Sequence, residues 1–199
     1  MNNVGRKILP GGVVFETGRL IIRTARVEDV PVYFALWTNP AIMKNMGFPN
    51  GLQITREEIA AKIEEQGETE YGRLLVAELK STHQVIGECK LYLPNDEGIS
   101  ETDVKLLPQF WGHKYGVEVK QGLVDYLFTH TECTAVQGTP NVANIASIKM
   151  QEAVGAKRVA ERVYKFPEER RENTCPVHHY VYRVFRTNWA RKCLEKNET

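Results

Sequence analysis

Residues 101–139 carry the feature that most limits how this chain can fold: an alternating strand, a glycine-bearing turn, a long amphipathic helix and a second short strand, in that order. Glu101-Thr-Asp-Val-Lys-Leu-Leu107 alternates as a half-buried strand does, and Pro108 ends it because proline cannot donate to a ladder. The helix then places Val119, Leu123, Tyr126 and Leu127 at i, i+4, i+7 and i+8, one apolar stripe, with Glu118, Lys120 and Asp125 off it. Residues 134–139 read as a short strand. Two strands joined by so long a helix pair in parallel, so the chain contains one crossover unit.

The turn inside that unit reads QFWGHKYGVEV, with Gly112 and Gly116 four apart around His113, Lys114 and Tyr115. A strand-to-helix turn presents unpaired N–H groups at the positive end of the helix dipole, and glycines let a ligand approach the backbone closely. An anion can dock there. The same two glycines also satisfy plain turn geometry, so the turn alone leaves both readings open.

The remaining elements follow from periodicity and caps. A strand over 20–26 leads to a helix over 29–37 that Asn39-Pro40 stops, and Thr55-Arg-Glu-Glu58 is a capping box opening a second helix that carries Ile59 and Ile63. Residues 73–79 and 85–93 read as an antiparallel hairpin, residues 143–154 as a helix ended by Gly155, and 157–165 and 177–186 as two strands joined by a charged loop over 166–175. This is an α+β chain with a mixed central sheet of about seven strands and flanking helices.

At 199 residues the expectation is one domain, 1–199, with residues 1–15 as an N-terminal extension rather than a targeting segment. A formal net charge of +1 provides no field for nucleic acid, and no apolar run approaches a membrane span. Cys89, Cys133, Cys175 and Cys193 form no CxxC pair, which fits a reduced cytoplasm. His130 and Cys133 have no second pair at ligand spacing, so no metal is assigned. The chain is expected to be a monomer or a homodimer.

Gly18-Arg-Leu-Ile-Ile-Arg23, Trp37-Thr-Asn-Pro40, Trp111-Gly112, Asn144-Ile-Ala-Ser147 and Val154-Gly155-Ala156 follow one another at suitable spacing. Together with the element order they resemble the GNAT superfamily of acetyl-CoA-dependent N-acetyltransferases over residues 16–189, most nearly its ribosomal-protein N-terminal acetyltransferase branch. The resemblance implies that the turn's backbone, Trp111, Gly112, His113, Lys114, Tyr115, Gly116 and Val117, together with Asn144, holds acetyl-CoA. Trp111 stands where the family pattern has Gln or Arg, and Lys114 stands in place of its inner glycine. A residue with helical angles there still donates its N–H, and lysine adds a positive charge.

Acetyl transfer needs a neutral amine, a donor for the developing oxyanion and a proton for the departing thiolate. The resemblance implies a backbone N–H at Leu106 or Leu107 for the oxyanion and Ser147 for the thiolate, while Asn144 and Ser147 also suit an ordinary helix start. It implies Glu101 as the base, with Asp103 two residues along on the same face, where two close carboxylates would raise the pKa of one. Glu168 or Glu169, in the loop between the last two strands, ranks next. The acceptor is expected to be an amine, either a protein N-terminus or a small molecule, and acidic Asp96, Glu97, Glu101 and Asp103 suit a cation. A second expectation, of a different class, is a non-catalytic acyl-CoA-binding or protein-interaction module that keeps the fold.

Overall fold

In the computed structural model, which describes residues 6–197, alternation in the first half of the chain becomes five antiparallel neighbours. They are β1 (Val13–Glu16), β2 (Leu20–Thr24), β3 (Leu75–Leu79), β4 (Val85–Leu91) and β5 (Ile99–Leu106). β6 (Ala135–Gly138) lies parallel to β5, and β8 (Val177–Phe185) inserts between β6 and β7 (Lys157–Tyr164), antiparallel to both. The result is one mixed sheet of eight strands in the order β1-β2-β3-β4-β5-β6-β8-β7.

The period of two along the strands gives the sheet two apolar faces. Leu20, Ile22, Leu75, Cys89, Leu91 and Leu106 pack against Val119, Leu123 and Leu127 of the crossover helix α4 (Tyr115–His130). On the opposite face Val76 and Leu107 meet α1 (Val30–Trp37), α2 (Pro40–Met43) and α3 (Arg56–Glu64) through Tyr33, Trp37, Ile42 and Ile59. α3 starts on the expected capping box, Thr55 and Glu58 each bonding the other's backbone N–H. α5 (Ile145–Ala153) packs beside α4, and α6 (Arg186–Asn197) follows β8.

Three elements differ from the sequence expectation. The extension supplies an eighth strand, β1, because Gly12 accepts from Thr24 N–H at 2.9 Å and turns the chain back onto β2; residues 1–5 lie outside the described residues. Asn39-Pro40 ends α1 but also starts α2, since Asn39 Oδ1 caps Ala41 N–H at 2.9 Å and proline suits a first helical position. α6 has no sequence expectation behind it. Its anchor is tertiary: the Trp189 ring lies tilted against Phe128, centroids 5.2 Å apart, and its indole N–H donates to Asp125 Oδ1 at 2.6 Å.

A buried ion cluster fastens the start of α1 to the sheet. Arg23 donates to both Asp29 oxygens at 2.7 and 2.9 Å and to Glu78 Oε2 at 2.7 Å. Burial alone would raise the Glu78 pKa, but hydrogen bonds from Arg23 and His83 outweigh it and hold the carboxyl below its usual range. Arg23→Gln strands two buried carboxylates and should cost about 3–5 kcal/mol in urea denaturation. Because Glu78 is depressed in the folded state, its contribution is present above the unfolded pKa of about 4.3 and is lost as pH falls through the lower folded value. Stability measured against pH should therefore drop below about pH 4.3 in the wild type, and less steeply in Arg23→Gln.

Candidate active site

β5 and β6 are joined only at Ile99↔Ala135, Ser100↔Val136 and Glu101↔Gln137. Beyond that fork β5 runs on to Leu106 with β4 alone beside it, through pairs from Leu91↔Thr102 to Gly87↔Leu106. A gap therefore opens in the middle of the sheet, and Thr102 and Val104, on a central strand, are partly exposed. Leu107 N–H donates to Ile86 O at 2.9 Å, so Leu107 is not available as the oxyanion donor that the sequence allowed. Strand alternation turns the Leu106 N–H the other way, into the gap. The Leu106 carbonyl, on the same side, accepts Trp111 Nε1–H at 2.8 Å.

Gly87 fits β4 closely against that end of β5. A Cβ there would collide with the Lys105 carbonyl and the Leu106 Cα, and the β3–β4 register shifts beside it, between Ala77 and Glu78. A bulge next to a site re-aims the neighbouring strand.

The turn at the mouth of the gap has left-handed backbone at Gly112 (φ 81°) and at Lys114 (φ 63°), the residue that caps α4. The sequence expectation of helical angles at Lys114 is thus corrected: the lysine takes a left-handed conformation, one that glycine adopts without a steric cost. A Cβ on Gly112 would meet nothing within 4 Å, so the turn faces open space, as an anion cradle requires. His113 is exposed, and Tyr115 and Val117 are half-buried. Gly116 sits where three elements converge, its would-be Cβ 3.3 Å from Met150 Sδ of α5 and 3.8 Å from Leu106 Cδ1.

The turn is held from behind. Arg19 donates through its backbone and Nε to the two Glu118 oxygens, each at 2.7 Å, lies 4.4 Å over the Tyr115 ring and reaches His113 O at 3.3 Å. Burial would raise the Glu118 pKa, yet the hydrogen bonds from Thr17 and Arg19 hold it low. Across the gap, Asn144 Oδ1 caps Ser147 N–H at 3.1 Å. Ser147 lies one turn before Met150, on the α5 face that meets the start of α4 at Gly116.

The odd-numbered residues of β5 point to the α1 face. Glu101 is exposed and accepts from Gln137 Nε2 at 2.7 Å. Lys105 bridges Asp103 and Glu88, reaching Glu88 Oε1 at 2.9 Å, and Trp37 Nε1 donates to that same oxygen at 2.9 Å. The expected mutual raising of Glu101 and Asp103 does not occur at Asp103: burial pushes its carboxyl up, and the Lys105 charge more than reverses it. Burial likewise disfavours the Lys105 ammonium, but Asp103 and Glu88 hold its pKa well above that of an ordinary lysine. Cys175 N–H donates to Gly47 O at 2.8 Å and Phe166 meets Phe48 edge-on, which folds the 166–177 segment over the end of α2. Glu168 and Glu169 sit on a 3-10 turn of that segment, on a different element from Glu101 and Asp103. Asp96 and Glu97 are exposed at the other end of β5, in the turn that precedes it.

Lys120 is the largest departure from the sequence reading. It is 1 % exposed, and its ammonium donates to Thr102 Oγ1 at the fork. Positions 120, 123, 124 and 127 follow i, i+3, i+4 and i+7, so the helical period could have placed it on the buried face. Glu88 and Lys105 carried a fainter signal, since their cross-strand pairing depends on register.

A separate cavity of about 580 Å³ lies between the β1–β2 corner and the outer face of α4, lined by Phe15, Arg19, Glu118, Asp125 and His130 among others. It meets the turn only at Lys114 and Val117. Among the described residues no group of three His, Cys, Asp or Glu is placed to hold a metal, and no helix is long and apolar enough to cross a membrane.

Residues 19–157 match the family described as an acetyltransferase (GNAT) domain. The chain is 26% identical over 139 residues to an uncharacterized N-acetyltransferase, p20, of Bacillus licheniformis, an alignment spanning 67% of this chain and 76% of that protein. Its fold is similar to a GNAT-family acetyltransferase from Bacillus anthracis, with TM-score 0.72 and 18% identity over 86% of this chain and 98% of the other. It is also similar, with TM-score 0.69, 18% identity and the same two coverages, to a spermidine N-acetyltransferase from Vibrio cholerae solved with CoA and spermine.

Two substitutions test the local physics. Lys114→Gly removes a left-handed non-glycine residue, a strain of about 1–2 kcal/mol partly offset by glycine's unfolded-state entropy, and should raise stability by about 0.5–1 kcal/mol in thermal melts. Lys105→Met should destabilise by about 3–5 kcal/mol because it leaves the buried Glu88 charge alone, and adding Glu88→Gln should recover more than half of that loss. A double variant no more stable than the single would show that the cost lies in packing instead.

Proposed function

The chain belongs to the GNAT family of acetyltransferases, and from that premise we propose that it transfers the acetyl group of acetyl-CoA to a primary amine of a small, positively charged acceptor. The supporting observation for the acceptor is Glu101, a carboxylate exposed on the α1-facing side of β5 that bonds Gln137 and, among the described residues, forms no ion pair. A polyamine or an amino sugar suits that surface, and the spermidine and aminoglycoside acetyltransferases of similar fold act on molecules of those kinds. The motifs shared with the ribosomal-protein branch support a second acceptor, a protein N-terminal amine.

The residues divide the work by position. The Trp111–Gly116 turn offers N–H groups and Lys114 to the pyrophosphate, and the gap between β5 and β6 takes the extended arm. The open space before Gly112 and the exposure of Thr102 and Val104 fit such a guest. Leu106 N–H, beside the turn, faces the extended arm, and Val104 N–H, turned into the gap by the same alternation and two residues nearer the fork, is the donor to the developing oxyanion. Glu101 takes the proton that the amine sheds, Asp103 attracts the cationic acceptor, and Ser147 faces the thiolate side. The left-handed Lys114 at the start of α4 supports a turn shaped to hold an anion.

Acetyl-CoA at a hundred times its dissociation constant should stabilise the protein by about 2.7 kcal/mol, and ATP should not. Unchanged melting in millimolar acetyl-CoA would refute the cosubstrate. Steady-state CoA release should favour diamines and amino sugars over neutral-sequence peptides in kcat/KM, and the reverse order would move the acceptor to the N-terminal amine. Ser147→Ala and Glu101→Gln should each lower kcat by roughly 10²–10³-fold, and Glu101→Gln should regain rate as pH rises and free amine accumulates.

A further inference from the structure

Lys120 is a buried amine that nothing above employs. Its side chain leaves α4 among Val119, Leu123 and Val124, all fully buried, and meets Thr102 Oγ1 where β5 and β6 part. No carboxylate forms an ion pair with it among the described residues. Glu101 and Asp103 act on it only through the strand, from the opposite face. A buried charge without a partner costs stability, so an apolar side chain would serve the fold better at this position.

The groups packed around it come from four elements. β4 contributes Cys89 on the same face, a thiol that burial pushes up and keeps neutral. β5 contributes Thr102 and, two residues deeper, the buried Ser100 hydroxyl, which has no hydrogen-bond partner. β6 contributes Gln137, whose carbonyl accepts from Thr102 Oγ1 at 3.4 Å, and α4 itself adds only apolar neighbours. The ammonium is therefore the one full charge on the α4 side of the fork among these groups. The fork is also the closed end of a gap that is open down to Thr102, about 13 Å from Leu106 along the strand.

We infer that Lys120 is the cation that stabilises the departing thiolate of CoA at the fork of the sheet, an assignment that rests on acetyl-CoA as cosubstrate. The amine nitrogen forms its bond to the acetyl carbon, the carbon–sulfur bond breaks, and its electron pair stays on sulfur. The ammonium of Lys120 faces that negative charge across the Thr102 hydroxyl. The proton shed by the nitrogen goes to Glu101 and on to solvent, and the sulfur takes one from solvent as CoA leaves, so the net products are the amide and the CoA thiol. Burial lowers the Lys120 pKa to about 8, with Asp103 and Glu101 opposing, so the group is charged at neutral pH and loses its charge in mildly alkaline solution.

Lys120→Met and Lys120→Gln separate this role from a structural one, the Gln variant keeping a donor to Thr102 without the charge. Lys120→Met should raise Tm by about 2–4 °C while lowering kcat about 10²-fold. A lysine kept for packing would give the opposite sign in Tm. The decisive readout needs no turnover: CoA is bound at saturation and its thiolate absorbance in the ultraviolet is followed against pH. In the wild type the bound thiol should ionise about one pH unit or more below its value in both variants. Equal ionisation in all three proteins, with CoA bound to each, overturns the assignment and leaves the cosubstrate standing. Absence of CoA binding to the wild type, seen by calorimetry, instead refutes the cosubstrate reading on which it depends.

Discussion

The site depends on how briefly β5 and β6 stay together. Three residue pairs hold the parallel strands, and then β6 ends after four residues while β5 continues against β4. Backbone groups in the middle of a sheet are normally satisfied from both sides. Here the Leu106 N–H and the Thr102 hydroxyl face a gap, with a glycine turn at its mouth and α5 along its other side. The parting thus creates, from ordinary strand chemistry, a slot whose walls already carry donors.

The charges around the slot are arranged by face. On the α1 side Lys105 is tied to Glu88 and Asp103, with Trp37 bonded to the same Glu88 oxygen, so a buried cation is neutralised within one network. Farther from the gap, Arg23 is neutralised by Asp29 and Glu78 in the same manner. On the α4 side Lys120 is bonded, among the described residues, to a hydroxyl and to no carboxylate. That asymmetry turns a burial problem into a functional assignment, because the low dielectric that makes an unpaired charge costly also strengthens its field in the gap.

Much of the frame was legible along the chain. The hairpin of β3 and β4, the capping box of α3 and the glycine stop after α5 depend on residues near one another in the chain, and the crossover unit on a strand, a helix and a strand that each carry their own local period. The misses have longer reach. β1 depends on a turn through Gly12 that meets Thr24, and α6 on Trp189 finding Asp125, 64 residues earlier. Lys120 was misplaced by following one row of the helix, although its own spacing to Leu123, Val124 and Leu127 carried the answer. Glu88 and Lys105 face each other only once the register of β4 and β5 is fixed.

The sequence by itself determined the order of elements, the parallel step after the long helix, and the turn with Gly112 and Gly116 at the start of α4, because periodicity, proline, glycine and caps act locally. Tertiary structure alone decided that β5 would leave β6 after Glu101, that Leu106 rather than Leu107 would turn its N–H to the gap, and that Lys114 would adopt left-handed backbone. It also decided that Lys105 would be paired with carboxylates and that Lys120, beneath the fork, would meet a hydroxyl. Those outcomes depend on strand register and on which surfaces bury one another, quantities that are set between residues far apart in the chain and have no local period to reveal them.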